Sequence, residues 1–170
     1  MRMAEPTSPL RPGEERLDFD PAAGPADAHL VFIGRVRSPW GHADCPKNLR
    51  EARERLPAKG PGEHCRLEVD SRFRAGLRGL ESHAHILVLA WLHEARRDLA
   101  VLAPRHLDAP RGVLALRSPV RPNPIAVDIV RLLRVDLADG RLVIDAIDLV
   151  DGTPLLDIKP YLASVDAASV

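Results

Sequence analysis

The segment from Arg117 to Tyr161 constrains the fold most strongly, because stiff proline-containing loops flank a predicted pair of strands. Its first loop, RSPVRPNP, places three prolines within residues 117–124. Each proline fixes φ, so the loop has few conformations to lose, and such stiffness favours a binding rim over a simple connection. The pattern then predicts a strand from Ile125 to Leu137, a hairpin turn at Asp139-Gly140 and a returning strand from Leu142 to Leu149.

The other predicted strands are short and closely spaced. The most apolar runs from His83 to His93 and is typical of a strand buried on both faces. One helix is expected from Asn48 to Leu56, because Asn48 can cap it and Glu51 has the spacing of a capping box. Many short strands with one or two short helices favour a mainly β protein, a small β-barrel. The remaining predicted strands cover residues 29–37, 65–69, 99–102, 112–117 and 155–158, with helical turns at 71–80.

Length and composition indicate one domain. The chain has 170 residues, of which 45% are hydrophobic, which is ample for a core. Residues 1–28 are rich in proline, alanine and charge, so we expect a disordered tail before a single domain over residues 29–170. No apolar run approaches about 18 residues, so no membrane partner is expected. Cys45 and Cys65 are too few for a disulfide framework and fit the reducing cytoplasm.

The charges are balanced overall but unevenly placed. A formal net charge of zero gives no global attraction to nucleic acid. Residues 96–121, however, hold six arginines and two aspartates, and residues 136–170 hold seven aspartates and two basic residues. These segments predict a basic and an acidic face, with two ordinary solvated faces as the alternative.

Two long motifs, RSPVRPNPI (residues 117–125) and DGTPLLDIKPY (151–161), resemble those of the TsaA-like (YaeB-like) family. The similarity also includes FIGRVRSP (32–39) and covers nearly everything from about residue 31 onward. Characterised members methylate N6-threonylcarbamoyladenosine next to the anticodon of tRNA, using S-adenosylmethionine. The resemblance therefore implies a cytoplasmic S-adenosylmethionine-dependent tRNA methyltransferase that folds as a small β-barrel, unlike a Rossmann domain, and forms a homodimer.

The resemblance also assigns cofactor contacts by position. In the family they come from a PRQ loop, a Phe-His pair, the arginine of RSP, a strand residue after RPNPI and the turn before DIKPY. These positions are Pro46, Lys47, Asn48, Leu92, His93, Arg117, Ile129, Val150, Asp151, Gly152 and Thr153. The chain departs from the family where Lys47-Asn48 replaces the end of PRQ, where Leu92 replaces an aromatic residue, and where Ala126 replaces a glycine.

The residue types at these positions suit S-adenosylmethionine. A guanidinium such as that of Arg117 pairs well with a carboxylate, and Gly152 lets a ligand approach the backbone closely. Ile129 can form the apolar floor of an adenine slot. The structural alternative is that Arg117 forms a salt bridge with Asp151 beside an ordinary turn.

Asp157, Lys159 and Tyr161 of the DIKPY motif are the candidate catalytic residues. They can orient or deprotonate the accepting nitrogen, and positioning alone can supply much of a methyl transfer. Lys159 can also hold the carboxylate of a threonylcarbamoyl group. The structural alternative is an ion pair between Asp157 and Lys159.

Two other functions stay open from the sequence. One is methylation of a small molecule with the same cofactor, which the altered PRQ loop and the zero net charge favour. The other is a non-catalytic module that binds S-adenosylmethionine and a protein partner. A metal site is not predicted, because three groups of residues lack the regular ligand spacing of structural zinc sites: His83 with His85, Cys45 with His42, and Cys65 with His64.

Overall fold

The computed structural model describes residues 9–21, 28–62 and 64–168. The strands are β1 (Glu15–Arg16), β2 (Gly34–Arg37), β3 (Arg66–Val69), β4 (His85–Trp91), β5 (Leu99–Leu102), β6 (Arg111–Gly112), β7 (Ile125–Asp136), β8 (Arg141–Ile144) and β9 (Pro154–Pro160). The α-helices among the described residues are α1 (Leu49–Arg55) and α2 (Ala163–Asp166), and 3-10 turns cover Leu56–Lys59, Ser71–Leu77, Leu80–Ser82 and Val113–Ala115. None of these helices is long and apolar enough to cross a membrane.

The chain divides into two compact units, which differs from the single domain predicted from residue 29. The small unit combines the N-terminal residues with Glu94–Pro124. The barrel unit combines Ala28–His93 with Ile125–Val170. The division arises because the chain leaves the barrel after β4 and returns to it only at β7.

An antiparallel sheet in the order β1-β5-β6 organises the small unit. Its buried side chains are Leu99, Leu102 and Val113. Main-chain pairing of β1 with β5 orders part of the segment predicted to be a disordered tail, so that prediction is wrong for β1. The rest of the tail, residues 1–8 and 22–27, lies outside the described residues. The strand predicted over residues 112–117 is replaced by β6 and the 3-10 turn that follows it.

In the part of the chain that the structure describes, six strands close into a barrel in the order β2-β3-β8-β7-β4-β9. The predicted mainly β fold with a small barrel is therefore confirmed. β4 lies between β7 and β9 and pairs antiparallel with both. Its alternate residues Ile86, Val88 and Ala90 are fully buried inside the barrel. The residues between them are half-buried, so β4 is not buried on both faces as predicted.

Two strand ends differ from the predicted ones. The first barrel strand begins at Gly34 and not at His29, where Leu30, Val31 and Phe32 are exposed. β8 ends at Ile144 and does not continue to Leu149. It ends because carbonyl groups of residues 147–149 accept hydrogen bonds from the loop that contains Trp40. The predicted turn between β7 and β8 is confirmed, with Gly140 at a φ of 67°.

Candidate functional site

Two segments assigned to the cofactor lie in one neighbourhood, because Trp40 and Cys45 join them. Trp40 is 1% exposed, although the sequence places it in a polar loop. Its indole Nε1 donates to the carbonyl oxygen of Ile147 at 2.7 Å, and its own carbonyl accepts from the amide of Asp151 at 2.9 Å. The Cys45 thiol donates to the carbonyl of Asp148 at 3.3 Å. The segment containing Pro46, Lys47 and Asn48 therefore adjoins the turn Val150–Thr153.

Three of the four amide groups of the turn Val150–Thr153 are used inside the barrel unit. The amide of Asp151 donates to Trp40, that of Gly152 donates to the carbonyl of Val36 at 2.9 Å, and that of Thr153 donates to Val150 at 3.2 Å. The turn therefore does not offer these three amides to a ligand. It does offer an open surface, because Gly152 has a φ of 81° and no atom within 4 Å of the place where a Cβ would stand.

The side chains of the same turn support its shape. The Asp151 carboxylate accepts from the amide of Ser38 at 3.2 Å and pairs with Arg37 at 3.3 Å. The sequence analysis gave an Arg117–Asp151 salt bridge as the structural alternative, and the structure pairs Asp151 with Arg37. The hydroxyl of Thr153 is buried and donates to the carbonyl of Val150 at 2.7 Å. The surface that a ligand could contact here is that of Gly152, the half-buried Val150 and the exposed Asp151, whose carboxylate is paired with Arg37.

Asn48 and Lys47 have different surroundings in the loop before α1. The side-chain oxygen of Asn48 accepts from the amide of Glu51 at 2.9 Å, which is the predicted helix cap. The Glu51 carboxylate accepts from the amide of Lys47 at 3.1 Å, one residue earlier than a capping box places it. This hydrogen bond is the main cause that lowers the pKa of Glu51. The Lys47 side chain is exposed and Pro46 is buried, so Lys47 is the side chain of this loop that can reach a ligand.

The outer faces of β7, β4 and β9 carry the remaining candidate residues of the barrel unit in rows. Ile129 lies opposite Leu87, and Leu87 lies opposite Lys159. Adjacent strands are about 4.8 Å apart, so Ile129 and Lys159 are separated by roughly 10 Å on one face. Ile129 is 43% exposed. Its carbonyl accepts from Arg53 of α1 at 3.5 Å, which places this strand residue beside the helix that follows the loop.

The three candidate catalytic residues follow one another on β9 and just beyond it. The Asp157 carboxylate pairs with the Lys159 ammonium at 2.8 Å, which is the ion pair that the structural alternative describes. The hydrogen bond with Asp157 raises the pKa of Lys159, so Lys159 is a cation at neutral pH and not a base. The ring of Tyr161 lies edge-on to that of His85, with 6.4 Å between the centroids.

Leu92 and His93 immediately follow β4. Leu92 is half-buried against the barrel core, whereas the His93 side chain is exposed. Arg117 is exposed and lies in the small unit, in the proline-rich loop after the turn Val113–Ala115. Among the described residues, no group of three or more His, Cys, Asp or Glu side chains is placed to hold a metal ion.

Two arginines of the predicted basic face have structural partners in the small unit. Arg96 donates two hydrogen bonds of 2.9 Å to the carboxylate of Asp98. Arg97 donates to the carbonyl groups of Pro122 at 2.5 Å and Pro21 at 3.1 Å. Arg97 therefore joins three segments of the small unit, and Arg96 is held by its own segment, in line with the alternative of an ordinary charged face.

The match to known proteins covers most of the chain. Residues 42–167 match the family described as the tRNA-methyltransferase O N-terminal domain. The chain belongs to the tRNA-methyltransferase O family. The resemblance to the TsaA-like family that the two long motifs indicated is thereby confirmed. The matched range contains all the positions assigned to the cofactor and to catalysis.

Relatives of this tRNA-methyltransferase O family member include curated proteins and solved structures. It is 39% identical over 135 residues to a probable S-adenosyl-L-methionine-binding protein, VirR, of Rhizobium radiobacter, covering 79% of this chain and 71% of that protein. It is 38% identical over 94 residues to the tRNA (adenine(37)-N6)-methyltransferase of Mus musculus, covering 54% of this chain and 21% of that protein. TrmO from Pseudomonas aeruginosa is similar in structure, with a TM-score of 0.61 at 32% identity. That comparison covers 85% of this chain and 60% of the TrmO chain.

Proposed function

We propose that the protein is an S-adenosylmethionine-dependent methyltransferase that methylates N6 of threonylcarbamoyladenosine next to the anticodon of tRNA. The main support is the family match over residues 42–167, which contains both the Val150–Thr153 turn and the DIKPY motif. The mouse relative's name, tRNA (adenine(37)-N6)-methyltransferase, supports adenine N6 as the acceptor. A tRNA substrate would place the protein in the cytoplasm.

Residues of the barrel unit fit parts of the cofactor. The open surface of Gly152 permits close approach of a ligand, and exposed Ile129 offers an apolar floor for adenine. The amides of Asp151, Gly152 and Thr153 are already used, so a cationic side chain is the better partner for the cofactor carboxylate. The resemblance assigns this role to Arg117 of the small unit.

Arg117→Ala tests this cofactor assignment. Removing a charge-assisted hydrogen bond costs roughly 1.5–3 kcal/mol, so affinity for S-adenosylmethionine should fall about ten- to hundredfold. Isothermal titration calorimetry measures the change, and Arg105→Ala is a matched control because Arg105 is an exposed arginine of the same unit. Equal affinity of Arg117→Ala and the wild type would refute the assignment.

The residues of the DIKPY motif fit the acceptor side of the reaction. S-adenosylmethionine supplies the methyl group: a bond forms between N6 and the methyl carbon, the carbon–sulfur bond breaks with its electron pair on sulfur, and N6 loses its proton. Lys159, a cation that is 60% exposed, can hold the carboxylate of the threonylcarbamoyl group. Asp157 can orient N6 or accept its proton, and Tyr161 can orient the base. We expect Lys159→Ala to raise KM for tRNA several-fold while S-adenosylmethionine affinity is kept.

Nucleoside mass spectrometry of tRNA decides between the candidate acceptors. A deletion strain should lack the methylated form of threonylcarbamoyladenosine, and purified protein with S-adenosylmethionine should restore it on tRNA from that strain. If the protein binds S-adenosylmethionine but the tRNA nucleosides are unchanged, a small-molecule acceptor replaces tRNA. Cofactor binding without transfer to any acceptor would instead favour a binding module, as the names of several relatives suggest.

The residues that bind tRNA phosphates are best sought among the exposed arginines of the small unit. Arg96 and Arg97 are poor choices for substitution because their side chains already have partners in that unit. Arg105 and Arg111 are exposed in the same segment. A plot of the logarithm of the tRNA binding constant against the logarithm of salt concentration measures the salt dependence. Substituting both arginines with glutamine should reduce its slope by roughly 0.7–0.9 for each phosphate that is no longer neutralised. An unchanged slope would show that neither arginine binds a phosphate.

We also propose that the protein is a homodimer. The closed barrel has no free strand edge of its own, so pairing of barrel edges is not the basis for association. A different feature supports association, namely the exposed apolar side chains Ile125 and Val127 on the outer face of β7. Ile125→Asp should shift a dimer towards monomer in analytical ultracentrifugation, whereas Val165→Asp on α2, also exposed, should not. A wild type that is monomeric at micromolar concentration would contradict the proposal.

A further inference from the structure

The helix that follows the loop 40–48 also holds that loop in place. Arg55, at the end of α1, donates from Nη2 to the carbonyl oxygen of Asp44 at 2.7 Å. It donates from Nη1 to the Glu51 carboxylate at 3.0 Å, and its guanidinium lies 4.9 Å from the centroid of the Trp40 ring. The Lys59 ammonium pairs with the Asp44 carboxylate at 3.1 Å and lies 5.0 Å from the same ring. Two cations of one short segment thus contact the same loop.

Each interaction of Arg55 reaches a group that fixes part of the loop. Glu51 uses its other carboxylate oxygen to accept from the amide of Lys47. Asp44 accepts from the amide of Gly41 at 2.7 Å, which shapes the start of the loop. The buried Trp40 ring connects the loop to the carbonyl of Ile147. Arg55 therefore contacts the loop 40–48, helix α1 and the Trp40 ring. The Trp40 ring in turn connects the loop to the segment 147–151.

We propose that Arg55 is a positioning residue for the cofactor, because it holds residues 44–48 and the Trp40 ring in the arrangement seen here. This inference rests on the proposed function and on the assignment of Lys47 to S-adenosylmethionine by the family resemblance. This loop departs from the family's PRQ pattern at Lys47-Asn48. The positioning role of Arg55 is therefore argued from the contacts of this chain's own residues. A loop that is ordered before binding loses less conformational freedom when the ligand binds. The role of Arg55 should therefore be seen in cofactor affinity and not in kcat.

Hydrogen exchange tests the ordering of the loop without any cofactor. In Arg55→Gln, the amides of Gly41 and Lys47 should exchange faster than in the wild type, while amides of β4 and β7 should be unchanged. Arg50→Gln is the matched control, because Arg50 lies on the same helix, is 85% exposed and approaches Glu54 only to 3.8 Å. Equal exchange at Gly41 and Lys47 in Arg55→Gln and Arg50→Gln would overturn the inference.

Calorimetry with S-adenosylmethionine tests the consequence for binding. The Kd should rise roughly tenfold in Arg55→Gln and stay unchanged in Arg50→Gln, and kcat at saturating cofactor should be kept. Arg55→Lys should give an intermediate Kd, since lysine keeps the charge near Trp40 but lacks the forked donors. It also serves as the test variant if Arg55→Gln does not fold.

The two measurements separate failure of this inference from failure of the proposed function. Faster loop exchange with an unchanged Kd would overturn the positioning role and leave the proposed function standing. Absence of S-adenosylmethionine binding by the wild type would overturn the proposed function and the positioning role together. A fall in kcat without a change in Kd would also overturn the inference, because it would give Arg55 a role in the methyl-transfer step.

Discussion

Replacing Gly34 with alanine tests how tightly the barrel closes. Gly34 is the first residue of β2 and pairs with Val69 of β3 on one side and with Leu155 of β9 on the other. A Cβ at this position would lie 1.9 Å from the carbonyl oxygen of Glu68 and 3.0 Å from the Cα of Val69. These atoms belong to the main chain of a paired strand and not to a flexible side chain, so β2 and β3 must move apart to accept the methyl group.

The expected cost follows from that displacement. Extra atoms in a close-packed site cost about 1–3 kcal/mol, and each weakened ladder hydrogen bond adds about 1 kcal/mol. We therefore expect the free energy of unfolding of the barrel unit to fall by roughly 3 kcal/mol or more. Gly76→Ala is the matched control, because no atom lies within 4 Å of its Cβ position and its φ is not positive. It should be neutral or stabilising by about 0.4–1 kcal/mol.

Urea denaturation followed by tryptophan fluorescence measures both effects. The two tryptophans, Trp40 and Trp91, are in the barrel unit and report its unfolding. With a denaturant slope of about 1–3 kcal/mol per molar urea, the midpoint of Gly34→Ala should fall by roughly 1–3 M. Equal midpoints for Gly34→Ala and Gly76→Ala would refute the close approach of β2 to β3.

Three further predictions concern local groups. Hydrogen bonds from Arg96 hold the pKa of Asp98 below its usual value. Their stabilisation is therefore present above the unfolded pKa of about 3.9 and is lost as pH falls through the folded pKa. The free energy of unfolding, followed by circular dichroism, should depend less on acid pH in Arg96→Gln than in the wild type. Burial raises the pKa of both Cys45 and Cys65 to about 11. Iodoacetamide at pH 8 should therefore modify both thiols slowly in the folded protein and rapidly in urea. Equal modification rates in the two conditions, measured by mass spectrometry, would contradict this. Asn48→Ala should reduce the stability of the barrel unit by about 1 kcal/mol in thermal melts, because its side chain caps α1, and an unchanged melting temperature would contradict the cap.

The sequence by itself determined the elements whose signals are local. The continuous apolar run around residues 86–92 and the apolar residues of segment 125–137 predict the strands that form the long β4–β7 pair, and Gly140 supplies the positive φ of the following turn. Asn48 caps α1 because its side-chain oxygen accepts from the amide of Glu51, only three residues later, so the signal for the cap is local in sequence. The two long motifs also determined the family, since they are unusual in composition.

Only the tertiary structure decided the features that depend on partners far away in the chain. Trp40 is buried because it packs against Ala52 and Ala146, and its indole N–H is satisfied by the carbonyl of Ile147, 107 residues later. Asp151 pairs with Arg37, 114 residues earlier, whereas the sequence alternative had paired it with Arg117. β8 ends early because carbonyls beyond it accept hydrogen bonds from the segment containing Trp40. Hydrogen-bond donors and acceptors find partners by closeness in space, and strand periodicity and turn residues do not encode which distant groups will meet.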